Sequence, residues 1–82
     1  MASLINEKIA AVTAWQDLLD DSTALLASPG VHHKLLIRRA GELHSLLIVD
    51  RDQYSDMLEL ADGALAYAIE AQFDILLADG AK

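Results

Sequence analysis

The segment His44–Leu58, HSLLIVDRDQYSDML, sets four bulky apolar residues in a row before an abrupt run of acid and base. Three readings compete for Leu46-Leu47-Ile48-Val49: a buried strand, the last turn of a helix, or one point on a single long helix. A strand needs a partner, and nothing else in the chain alternates apolar and polar residues. An unbroken helix is the stronger competitor, because no proline stands between Val31 and Ala78. Such a helix would reach ~70 Å at 1.5 Å per residue and could fold only as an intertwined oligomer. The residues that follow decide against it. Asp50 with Gln53 three positions later is the aspartate form of a capping box. Val49 before the cap and Tyr54 after it make the matching hydrophobic staple. The β-branched pair Ile48-Val49 also lowers helix propensity at that point. The spacing therefore predicts that LLIV closes one helix and that another starts after Asp50.

Upstream, Ser28-Pro29-Gly30 is a strong breaker. Before it, Ile5, Ile9, Val12, Trp15, Leu19 and Leu26 fall at helical spacing, with Thr13, Asp17, Asp20 and Asp21 on the other side. Ser3 is an expected N-cap, and Ser28 caps the next helix with Pro29 at its first position. Leu36, Ala40, Leu43 and Leu47 make the stripe of a second helix. A third carries Met57, Ala61, Ala64, Ala68, Ala71 and Ile75 at alternating steps of four and three, a seam made mostly of alanine. Leu58, Leu65, Ile69 and Leu76 form a second stripe beside it, and Gly80 is a stop signal. The expected fold is all-α, with helices over about 4–27, 31–49 and 51–78. They would form either a three-helix antiparallel bundle or a helical-hairpin-based homodimer. Residues 1–82 read as a single small helical domain without a linker, and a tail of about three residues after Asp79 is expected to fray.

A chain of 82 residues buries only about 60% of its unfolded surface, so its core is thin. Small domains reinforce such cores with disulfides, metals or a second chain. There is no cysteine, whereas the hydrophobic fraction of 54% allows association. No signal peptide is evident and no apolar run approaches the twenty residues of a transmembrane helix. The expectation is a soluble, cytoplasmic protein with no membrane partner. A net charge of −7 argues against direct nucleic-acid binding, which requires clustered Lys and Arg.

Two surfaces stand out. Ile37 and Ile48 lie nearly opposite the Leu36 stripe, with Gly41 and His44 between them, while Leu35 and Leu46 widen the stripe itself. A helix apolar almost all round is buried all round. Leu35, Ile37, Gly41, His44, Leu46 and Ile48 are therefore the expected partner or dimer interface. The second surface is an acidic strip on the third helix: Asp56, Glu59, Gly63, Tyr67, Glu70 and Asp74. It offers a docking face for a basic partner, with Tyr67 beside the gap left by Gly63. The structural alternative is that these acids answer Lys34, Arg38, Arg39 and Arg51 across the grooves of the bundle.

Catalytic patterns are absent. His32, His33 and His44 form no HExxH or Glu-x-x-His pattern and read as surface or interface residues. Asp17, Asp20 and Asp21, with Glu59 and Asp62, are the only acid clusters that could hold Mg²⁺, yet they project away from the apolar stripes. No serine sits in an elbow motif, and no glycine-rich phosphate loop exists. The motifs identify no family. The expected function is a small non-catalytic protein-interaction module without cofactor: an adaptor, regulator or inhibitor of a partner protein. Small acidic proteins of this kind are also carried by phages and mobile elements. The alternatives are an acidic charge mimic that binds a nucleic-acid-binding protein, and a Mg-dependent all-α phosphohydrolase-like enzyme.

Overall fold

A computed structural model of the chain describes the backbone of residues 4–80 and the side chains of residues 5–75 and 77. The expected Ser3 cap and the end of the C-terminal tail lie outside the described residues. The fold is all-α. Four helices follow one another: α1 (Leu4–Leu19), α2 (Ser22–Ala27), α3 (Pro29–Ser45) and α4 (Arg51–Gly80). There is no strand among the described residues.

The first difference from expectation is that residues 4–27 are two helices. Helix α1 closes with Asp20 N–H donating to Gln16 O at 2.9 Å and Asp21 N–H donating to Leu18 O at 3.3 Å. Asp21 then caps α2, its Oδ1 accepting from Ala24 N at 3.1 Å. Asp20 and Asp21 therefore belong to a break, and Asp21 is spent on an orphan N–H of the next helix. The break rephases the apolar face. Leu25 is buried while Leu26 is exposed, although Leu26 would share a face with Trp15 on one straight helix. Helix α3 then starts at Pro29, two residues earlier than expected. Ser28 holds the cap position without a side-chain cap bond, and its carbonyl accepts from His32 N at 2.9 Å.

The second difference is at LLIV. Helix α3 ends at Ser45, and Leu46–Val49 lie beyond it. Leu47 has φ of 59°, the left-handed conformation usually given to glycine. Its N–H donates to His44 O at 3.0 Å, and Ile48 N–H donates to Leu43 O at 2.9 Å. This pair of bonds is a Schellman motif with leucine at the left-handed position. The four apolar residues thus divide. Leu46 and Leu47 point to solvent, Val49 is buried, and Ile48 packs against the core. As expected, a separate helix begins after Asp50, whose Oδ1 accepts from Gln53 N at 2.8 Å.

The sharp reversal makes α3 and α4 run antiparallel. His44 stacks on Tyr54 near the turn, with ring centroids 4.5 Å apart and planes 3° from parallel. Farther from the turn, His33 Nε2–H donates to Asp62 Oδ1 at 2.8 Å. On the other side of α3, the Trp15 indole N–H donates to Leu36 O at 3.0 Å and His32 Nε2–H to Leu18 O at 2.8 Å. The latter gives the Leu18 carbonyl, which already accepts from Asp21 N–H at the end of α1, a second donor. The central core is Trp15, Leu36, Ala40, Val49, Met57 and Ala61. Alanines at the α3–α4 contact allow the close approach that the seam predicts.

Helix α4 has 30 residues against 17 in α3. At 1.5 Å per residue that is about 45 Å against about 26 Å. The molecule is correspondingly long, 60 × 23 × 15 Å, with a radius of gyration of 15.5 Å. A compact chain of this length would have about 12 Å.

Candidate interaction surface

Helix face and helix length together decide which apolar residues of α4 are covered. The α4 seam is closed where α3 and α2 lie on it: Met57, Ala61 and Ala68 are buried. Short α2 reaches α4 through Leu26 O, which accepts from Gln72 Nε2 at 3.2 Å. Towards the end of α4, apolar side chains are exposed on two sides of the helix. Ile69, Phe73, Ile75 and Leu77 are 55%, 59%, 62% and 56% exposed. Four large apolar side chains within nine residues near the end of one helix are more than a scatter of single exposed residues. Ile75 lies on the seam, whereas Ile69, Phe73 and Leu77 follow each other at steps of four along a stripe on the far side of the helix, Phe73 about 160° from Ile75.

The expected interface on α3 has a different setting. Ile37 and Ile48 are half-buried and pack against the central core. The premise that their side of α3 has no internal neighbour is therefore corrected. It failed because neighbouring helices reach Ile37 on that side of α3, and because the chain beyond the Schellman turn brings Ile48 to a groove lined by Ile9, Val12 and Gln16 of α1. Gly41 and His44 are half-buried beside Tyr54. A methyl group at Gly41 would stand 3.9 Å from the Tyr54 hydroxyl, an ordinary contact. Leu35 is half-buried, and it lines a groove with Val31, Lys34 and Arg38. Leu46 alone of the six is fully exposed, on the turn.

The acidic strip is assembled as the sequence spacing implies. Asp56, Glu59, Gly63, Tyr67, Glu70 and Asp74 are all exposed along α4. Among the described residues, no ion pair reaches Asp56, Glu59, Glu70 or Asp74. The basic residues of α3 turn elsewhere: Arg38 and Arg39 both approach Glu42 on their own helix, at 3.9 and 3.5 Å. His33 with Asp62 is the ion pair that crosses between helices. The compensation expected across the grooves is thus largely missing.

The histidines are more structural than expected. His32 is a core residue, and its Nδ1 is buried without a hydrogen-bond partner. No group of three or more His, Cys, Asp or Glu side chains converges on a metal position among the described residues. Of the acids considered for Mg²⁺, Asp21 is taken by its cap and Asp62 by His33. One groove runs between α1 and α3, with Arg39 and Glu42 in its lining, and another lies beside Tyr54, with Glu42, His44 and Ser45. No helix among the described residues is long and apolar enough to cross a membrane.

Sequence reasoning missed the distal α4 surface, although its signal was present. The expected helices already differed in length, and Phe73 belonged to neither apolar stripe. Comparison with known proteins finds no matching family model, no similar curated protein and no similar solved structure.

Proposed function

We propose that this protein is a small, non-catalytic interaction module of the cytoplasm, an adaptor, regulator or inhibitor that docks a partner protein on the distal third of α4. One observation carries the reading: Ile69, Phe73 and Leu77 stay more than half exposed along one stripe near the end of α4. An apolar surface of this kind in so small a chain marks a contact site. A homodimer would also cover it, but no longer through Ile37 and Ile48, which the core already engages.

The test is to introduce Ile69→Asp and Phe73→Asp separately and to follow the protein that co-purifies with the wild-type chain. Both variants are expected to lose it while keeping helical circular dichroism. Retention of the partner by both would refute docking at this surface. Sedimentation at two concentrations separates a foreign partner from a second copy.

A second reading has its own support. The unpaired Asp56, Glu59, Glu70 and Asp74 on one exposed face suit an acidic charge mimic of nucleic acid. Binding would then fall steeply with salt and end when all four are neutralised. Binding that resists salt excludes it.

A further inference from the structure

We propose that the distal face of α4 takes an amphipathic helix whose flanking positions carry Lys and Arg. The inference rests on the reading of this face as a docking surface and names its occupant. Turning 100° per residue, Ile69, Phe73 and Leu77 span an arc of about 80° on α4, and Glu70 and Asp74 occupy the arc next to it. Tyr67 lies just beyond. An apolar stripe edged with carboxylates is the complement of a helix with an apolar face edged with amines or guanidinia.

Apart from Arg51 at its first position, the charge of α4 is one-sided. From Asp52 to Gly80 the sequence has Asp52, Asp56, Glu59, Asp62, Glu70, Asp74 and Asp79, and no Lys, Arg or His. Among the described residues, only Asp62 of these is in an ion pair, with His33. A second copy of the chain is a poor occupant for the same reason. In a two-fold contact centred on Phe73 the same patch meets itself, so Glu70 and Asp74 would face carboxylates of their twin. Opposed like charges weaken such an interface, while a basic helix turns the same carboxylates into attractive partners. From Ile69 to Leu77 the exposed stripe runs for about two and a half helical turns, room for a helix of similar length.

The experiment uses the full chain and four synthetic peptides of eighteen residues. One carries Leu at helical spacing with Lys elsewhere. Two others replace Lys by Gln or by Glu. The fourth scrambles the Leu/Lys order. Calorimetric titration should show one-to-one binding of the ordered Leu/Lys peptide at least tenfold tighter than that of Leu/Gln, with none for Leu/Glu. Phe73→Ala should weaken binding at least tenfold. The double variant Glu70→Lys, Asp74→Lys should abolish the preference for Lys. Equal binding of the Lys and Gln peptides, or a preference that survives the double variant, overturns the basic occupant and leaves the docking surface standing. Binding indifferent to Phe73→Ala, equal binding of the scrambled peptide, or no binding of any ordered peptide overturns both. A dimer that Phe73→Ala dissociates assigns the face to a second copy and overturns the inference.

Discussion

The Trp15 indole N–H and the Leu36 carbonyl oxygen meet at 3.0 Å inside the core, joining α1 to α3. Indole is the largest side chain in the chain and Trp15 is its only copy. Trp15→Phe keeps an aromatic ring and removes the donor. The Leu36 carbonyl, in mid-helix, retains its own helical N–H and is not orphaned. The expected loss is therefore modest, about 1–2 kcal/mol. Trp15→Ala should cost about 3–5 kcal/mol, a large share of the roughly 4–12 kcal/mol that a domain of this size has. Urea unfolding followed by circular dichroism measures both. Equal losses for Phe and Ala would show that the hydrogen bond, and not the packing, dominates.

Leu47 should be improvable. It holds φ of 59° with its side chain 77% exposed. A left-handed leucine costs about 1–2 kcal/mol of conformational energy that glycine does not incur. Nothing buried is lost by removing the side chain. Leu47→Gly should raise stability by about 1 kcal/mol, read as a higher urea midpoint with unchanged slope. A decrease would mean that the exposed leucine has a partner.

The same stretch shows what could be read in the sequence. Asp50 and Gln53 announced the start of α4, because a carboxylate three residues before a free N–H is a local device. The end of α3 had no such mark. A left-handed terminus is signalled by glycine or asparagine, and this chain uses Leu47. At Asp20-Asp21 the signal existed, an aspartate followed by Ser22-Thr23-Ala24. It was hidden because Leu26 repeats the phase of Trp15 and makes a continuous helix look consistent. His32 looked like a surface residue since its partner, Leu18 O, becomes available only where α1 stops. The acidic strip was fully legible, as it depends on periodicity along one helix. Coverage of Ile37, Ile48 and Phe73 depends on which helix lies over which, and one-dimensional spacing does not encode that.

Gly63 is an exposed residue inside α4, and a Cβ added there meets nothing within 4 Å. Glycine in a helix interior is about 0.8–1.0 kcal/mol less favourable than alanine. Gly63→Ala should therefore stabilise the free protein by about 1 kcal/mol. If the gap beside Tyr67 receives a partner, the variant will be more stable yet bind more weakly. Thermal unfolding and binding measured on the same variant separate the two effects.

The caps at Asp21 and Asp50 should contribute similar amounts. Each accepts one hydrogen bond from the N–H three residues on, at 3.1 and 2.8 Å. Asp21→Ala and Asp50→Ala are each expected to lose about 1 kcal/mol. Asp21→Asn and Asp50→Asn should retain most of it. Loss confined to α2, seen by hydrogen exchange in Asp21→Ala, would show that α2 opens independently of the α3–α4 pair.

The distal third of α4 gives the sharpest contrast between covered and uncovered positions. Ala68 is buried and Phe73 is more than half exposed, five residues along the same helix. Ala68→Lys forces a charge into the contact with neighbouring helices and should cost several kcal/mol or abolish folding. Phe73→Lys and Ile69→Lys replace side chains already in water by better helix formers, so each should change stability by no more than about 0.5 kcal/mol. Denaturation of the three purified variants at low concentration measures this directly. If Phe73→Lys costs as much as Ala68→Lys, the apolar end of α4 is already sheltered in the free protein, and the surface on which the proposed docking depends does not exist.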